Sequence, residues 1–165
     1  MWYDLTKNLV LPDDANLMQV RAGYPNYPNA LKPPFVLEGD DMADDTFWIG
    51  DLFNAWAENW FTYWTGRVGG VGNFVMTAFE DCSISQALKF LSAVGRADNT
   101  RELVLRTGSD YDVQPNNETP AQFLLSENNG GLSGYQESLN DAYIVGSVVV
   151  KEVANHWDKY KDHVP

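Results

Sequence analysis

The sequence predicts an α/β fold in which strands alternate with helices around a shared sheet. Three observations carry this. Residues 73–79, NFVMTAF, have the composition of a strand. The stretch SISQALKFLSAVG that follows places Ile84, Ala87, Leu88 and Leu91 on one face, which is helical spacing over 84–94. RELVLRTG then gives a second strand over 102–107, with another helix behind it. A strand–helix–strand connection of that length joins parallel strands through a right-handed crossover.

The elements follow in chain order. Residues 1–45 form an extended, Pro-rich segment and residues 46–165 the α/β core, parts of a single domain portion over 1–165. Pro25, Pro28, Pro33 and Pro34 rule out a helix across the middle of the first segment. Short strands are expected near Leu17–Arg21 and Pro34–Leu37. From Thr46 the apolar residues Ile49, Leu52, Phe53, Trp56, Trp60 and Tyr63 fall at helical spacing. Asp44, Asp45 and Thr46 are N-cap candidates for that helix, and Trp56 and Trp60 are expected to face the core. GRVGGVGN makes a flexible turn before the first strand. Ser83 or Ser85 caps the helix after it, and Gly95 stops that helix. TPAQFLLSE reads as a short helix with Thr119 as cap and Pro120 at its first position, broken by NNGGLSG. A long C-terminal helix then carries Leu139, Ala142, Gly146, Val149, Val153 and Trp157 on one side.

Composition excludes several function classes. At 165 residues, with 44% hydrophobic and 13% aromatic residues, the chain is globular and long enough for a sizeable core. A formal net charge of −12 and a pI near 4.3 argue against binding nucleic acid or an anionic membrane through a basic face. The single cysteine, Cys82, allows no intrachain disulfide and reads as a small buried filler. The first residues lack the basic region and apolar core of a signal peptide, and no apolar run reaches the length of a membrane span. A soluble chain in an unassigned compartment is expected. The DDMADD run lacks calcium-loop spacing and reads as a solvated turn. His156 and His163 have no partner at ligand spacing, so no metal is expected.

The candidate chemistry lies where the two strands end. One ends near Glu80–Asp81, the other near Ser109–Asp110. In open α/β sheets, ligands bind outside the carboxyl ends of strands. Two carboxylate clusters at neighbouring strand ends are a more specific signal than either alone. Solvated acids at ordinary turns remain the alternative for both.

These residues also resemble a known family. FVMTAFEDCSISQAL, ELVLRTGSDYDVQPNNETPAQFLLSENNGG and SLNDAYIVGSVVVKEVANHWDKYKDHVP, with LPDDANLMQVRAGYP and KPPFVLEGDDMADDTFW upstream, are similar to the purine nucleoside permease (NUP) family across essentially the whole chain. The resemblance implies a nucleoside phosphorylase-like fold: a three-layer α/β/α sandwich with a mixed sheet. This chain would correspond to the C-terminal half. GDDMADDTFW matches a segment that borders the base, placing Phe47 and Trp48 against the purine. Phe79–Glu80, with Met76 nearby, matches a pair that binds the ribose. Ser109–Asp110, preceded by Arg106 and Thr107, matches a motif that meets the purine edge. Asp110 departs from the Asn that many members of the family carry there.

The resemblance further implies purine nucleoside binding with cleavage of the N-glycosidic bond, of the nucleosidase or phosphorylase type. Asp110 and Glu80 would be the catalytic residues. A purine leaves poorly as an anion, so an aspartic acid with a raised pKa suits protonation at N7. A carboxylate under the sugar suits the developing positive charge. No cofactor is implied, with phosphate open as a co-substrate. The implied partners are a purine nucleoside and either a second copy of the chain or a complementary N-terminal half. Neither nucleic acid nor direct membrane insertion is implied, and a secretory route stays open. The alternative reading is a nucleoside-binding or transport-assisting protein without turnover, or a catalytically incomplete structural module.

Overall fold

The computed structural model describes residues 1–44, 48–130 and 134–162. It is a helix-rich α/β arrangement. In order it runs α1 (Trp2–Thr6), α2 (Ala15–Arg21), β1 (Asp40–Ala43), α3 (Asp51–Arg67), β2 (Phe74–Ala78), α4 (Asp81–Ala93), α5 (Pro120–Gly130), α6 (Tyr135–Asn155) and α7 (Trp157–Tyr160). β1 and β2 pair in parallel, with Asp41 opposite Met76, Met42 opposite Thr77 and Ala43 opposite Ala78. The parallel βαβ unit is therefore β1–α3–β2. It was expected one step later, between 73–79 and 102–107.

Among the described residues, 102–107 joins no strand ladder. Strand composition alone does not make a strand; the backbone needs a partner for its donors and acceptors. Here β2 is paired along β1, and Leu103, Val104 and Leu105 stay exposed. Among the described residues the sheet has two strands, with helices around them.

The N-terminal segment is more folded than its prolines imply. Residues 17–21 lie in α2 instead of a strand, because Asp14 caps that helix by accepting from the Asn16 N–H at 2.6 Å. Arg21 then forms a paired ion bridge to Asp13, at 2.7 and 2.8 Å. Next come consecutive turns: the Tyr27 N–H donates to the Tyr24 carbonyl, and the Ala30 N–H to the Tyr27 carbonyl. Pro25 and Pro28 each sit at the second position of one of these turns, where their fixed φ is already correct. Residues 34–37 form no strand. The strand lies a few residues on, in the DDMA run expected to be a solvated turn. Asp40 fixes its start by exchanging hydrogen bonds with Asn73: the Asn73 N–H donates to Asp40 Oδ2, and the Asp40 N–H to the Asn73 carbonyl, both at 2.8 Å.

Helix ends follow local chemistry. α3 begins at Asp51 behind Gly50, five residues beyond the expected cap at Thr46, and Asp45, Thr46 and Phe47 lie outside the described residues. α4 begins at Asp81 behind Glu80, so Ser83 and Ser85 are inside the helix and not its cap. Ser85 instead donates to Glu102 Oε1 at 2.7 Å. α3 and α4 close in the same way. Gly69 (φ +78°) donates to the Gly66 carbonyl and Gly70 to the Thr65 carbonyl. Gly95 (φ +71°) donates to the Ser92 carbonyl and Arg96 to the Leu91 carbonyl. Both are Schellman closures with the left-handed position filled by glycine. Thr119 caps α5 reciprocally: its hydroxyl accepts from the Gln122 N–H, while Gln122 Oε1 accepts from the Thr119 N–H.

Burial is scattered. Trp48, Ile49, Ala57, Ala78, Phe123 and Val145 are buried, yet no large described side chain is completely enclosed. Trp56 and Trp60, expected to face the core, are 48% and 45% exposed. They stack on each other and Trp56 stacks on Trp48, with ring centroids 5.1 Å apart at both steps. Cys82 is exposed and is not a core filler. α6 ends at Asn155, so Trp157 belongs to the short α7; α6 buries Ser138 and Val145, while Ala142, Gly146, Val149 and Val153 of the expected face are half-buried and Leu139 is exposed. His163 lies outside the described residues.

Gly95→Ala is expected to lower folding stability by about 1–2 kcal/mol, since an alanine there must hold a left-handed conformation. Urea unfolding of the two chains checks this; equal midpoints would mean that α4 closes without the left-handed residue.

Candidate functional site

Two polar clusters meet at the carboxyl end of β2. The first is built on Arg106. Its Nη2 lies 2.9 Å from Glu80 Oε2, and its Nε lies 3.3 Å from Asp81 Oδ2, within ion-pair reach but off hydrogen-bond geometry. Glu80 and Asp81 sit where β2 turns into α4, so the guanidinium ties residues 102–108 to the start of that helix. Glu80 is held below the usual carboxylate range, first by its own backbone N–H and then by Arg106. Asp81 moves the other way, raised by burial and by a hydrogen bond with the Asp41 carboxyl from β1. Asp41 Oδ2 and Asp81 Oδ2 are both buried without a hydrogen-bond donor among the described residues. Two carboxyl groups bond to each other only through a proton that one of them holds.

The second cluster is built on Asp112. Its carbonyl accepts from the Gly50 N–H at 2.7 Å. Its carboxyl accepts from Asn54 Nδ2 at 3.2 Å and from the Thr77 hydroxyl at 3.1 Å. Two residues on, Gln114 Oε1 accepts from the Asp51 N–H at 3.1 Å. The 109–114 segment therefore caps α3 from outside and fastens it to β2. Burial and the neighbouring Asp110 push Asp112 up to about 6, against the hydrogen bonds from Thr77 and Asn54. Asp110 is also raised by burial, partly offset by the Ser109 hydroxyl, which approaches Asp110 Oδ1 at 3.5 Å. The Ser109 carbonyl accepts from the Gly134 N–H at 2.7 Å, which sets the segment against the start of α6.

Among the residues expected from sequence, Glu80 and Arg106 are brought into direct contact, as are Ser109 and Asp110. Thr107 is half-buried beside Arg106. Met76 lies on β2 opposite Asp41, and Phe79 is half-buried between β2 and α4. Trp48 is turned into the tryptophan stack, where its Nε1–H is buried without an acceptor among the described residues. Phe47 lies outside the described residues. Asp81 was expected only as part of the Glu80–Asp81 strand end, and Asp112, Asp41, Asn54 and Thr77 were missed. The available signal was Asp112 itself, the second acid of SDYD, and Asn54, a polar residue among aromatics.

Two open grooves lie elsewhere. One of about 280 Å³ runs beside Tyr24 and Phe123, and one of about 330 Å³ follows α6 along Ala142, Gly146 and Val150. Neither is lined by Glu80, Arg106 or Asp110.

The sequence matches the purine nucleoside permease (NUP) family over residues 1–165. The chain belongs to that family. A probable purine nucleoside permease of Schizosaccharomyces pombe is 28% identical over 156 residues, covering 93% of this chain and 42% of that protein. A purine nucleoside permease of Candida albicans is 25% identical over 126 residues, covering 76% of this chain and 30% of that protein. The chain thus spans less than half the length of these relatives. No solved structure matches it. The relatives of this NUP chain are named as permeases, which corrects the expectation of N-glycosidic bond cleavage. Neither hydrolase nor glycosyltransferase chemistry is supported. No described helix is long and apolar enough to cross a membrane.

Asp112 makes stability depend on pH in a stated direction. Below the ordinary value of 3.8 the folded and unfolded chains both hold its proton. Between 3.8 and about 6 the folded chain keeps a proton that the unfolded chain has lost, so stability falls as pH rises through that window. The loss is on the order of 2 kcal/mol once solvent screening is allowed for. Asp112→Asn keeps an acceptor for Thr77 and removes the titration. Urea midpoints taken from pH 4 to pH 7 are expected to fall less steeply in the variant; identical slopes would place the buried proton elsewhere.

Proposed function

We propose that this chain is the nucleoside-recognising portion of a permease-family protein, and that it captures purine nucleosides intact for transport. Family membership over the full chain supports the ligand class. The observation that carries the reading is the meeting of the Glu80–Arg106 pair and the Ser109–Asp112 run at the end of β2.

Each group has a role that needs no bond breaking. A carboxylate has about four lone-pair sites. Glu80 spends some on Arg106 and keeps others for the vicinal hydroxyls of a ribose, while Arg106 fixes its direction. Asp110, half-buried beside the Ser109 hydroxyl, presents carboxyl oxygens that suit an N–H group on a purine edge. Ser109 adds a hydroxyl beside it, Thr107 follows Arg106 in the chain, and Met76 and Phe79 lie on and just after β2. Phe47, matched to the segment that borders the base, is the aromatic residue left for it, because Trp48 is committed to the tryptophan stack. The finer architecture belongs to the same reading: the described βαβ unit is one part of a three-layer α/β/α sandwich.

Calorimetric titration with inosine, guanosine and adenosine tests this, with chromatography of the nucleoside afterwards. Binding is expected, with the nucleoside recovered whole. Glu80→Ala and Asp110→Ala are each expected to weaken binding tenfold or more, the loss of one buried or charge-assisted hydrogen bond. Release of free purine, or affinity unchanged in both variants, would sink the reading.

A further inference from the structure

The chain exposes more surface than a self-contained fold of its size. Its accessible area is 11149 Å² for 18.5 kDa. A folded monomer of that mass exposes about 8,200 Å², leaving an excess of about 2,900 Å². A stable interface takes about 800 Å² from each partner. The excess is therefore on the scale of an obligate interface, one that resembles a domain core cut in half.

Exposed apolar side chains occur along the whole chain, on α4 and α6 as well, and two features gather several of them together. One is the aromatic side of α3, where Trp56, Trp60 and Trp64 are each nearly half exposed. The other is the unpaired segment 102–107, whose Leu103, Val104 and Leu105 are 52%, 46% and 43% exposed. Two paired strands alone are marginally stable in water, and an open strand edge invites another strand. The second observation is one of length. This chain matches only 42% of the Schizosaccharomyces pombe relative while nearly all of its own length is used in the match.

We infer that the α3 aromatic face and the 102–107 segment are the docking surface for the part of the family polypeptide that this chain does not span. That part supplies a strand to pair with 102–107 and an apolar face to cover the tryptophans. A second copy of the chain is the weaker occupant. With a net charge of −12, two copies repel one another, and a self-contact would leave the relatives' remaining length without a surface to meet. The inference does not depend on nucleoside recognition, and its test uses no nucleoside.

The test compares the 165-residue chain alone with a chimaera in which it replaces the matched portion of the Schizosaccharomyces pombe relative. Hydrogen exchange is followed at residues 102–107, and acrylamide quenching at the tryptophans. In the chimaera, exchange at 102–107 is expected to slow at least tenfold and quenching to fall. Trp60→Glu in the chimaera is expected to restore the exchange and quenching of the isolated chain, while the helical circular dichroism persists. Equal exchange and quenching in both proteins would overturn the inference. So would a homodimer of the isolated chain that already protects 102–107, because the occupant would then be a second copy.

Discussion

Asp112 is the joint on which the described structure depends. One residue holds the start of α3 through its carbonyl and the end of β2 through its carboxyl. Without it, α3 would lose its external cap and the 109–114 segment its anchor on the sheet. The arrangement has a cost, because the carboxyl is half-buried with Asp110 beside it and, among the described residues, no cation pairs with either acid. It holds by keeping a proton further into the acid-to-neutral range than an exposed aspartate does. Position and protonation are thus set by the same burial.

The Arg106 cluster works by the opposite logic. There a guanidinium faces one exposed carboxylate and one half-buried carboxyl, and the exposed one, Glu80, stays ionised. One end of the parallel pair therefore presents the ionised Glu80 together with Asp81, Asp110 and Asp112, whose carboxyls burial shifts upward.

Local chemistry was legible in the sequence, and pairing was not. The glycine that ends α4, the Thr–Pro start of α5 and the long α6 follow from side chains within a few residues of each other. β2 was legible for the same reason. Its partner was not: β1 is an acidic run that no strand propensity selects, and it forms because Asp40 locks onto Asn73 across 33 positions. The segment 102–107 failed in the reverse sense, having strand composition but no ladder among the described residues. Within the candidate site, Glu80, Arg106, Ser109 and Asp110 were named from motif likeness and from two expected strand ends, of which the one at β2 is a strand end in the structure. Asp112 and Asn54 were not, because their pairing joins residues 58 apart. The tryptophans of α3 were assigned to a core by spacing alone, and spacing cannot say whether anything covers the stripe.

That tryptophan ladder has an optical consequence. Trp48, Trp56 and Trp60 repeat at 5.1 Å with planes 15° and 17° apart, and Trp64 closes the row edge-on. Indoles so close and so nearly parallel share their electronic transitions. Excitation of one ring therefore couples to that of its neighbours. The helix thus carries a built-in antenna whose signal follows the angle between successive rings, so a small change in how α3 is seated changes the spectrum of the whole row.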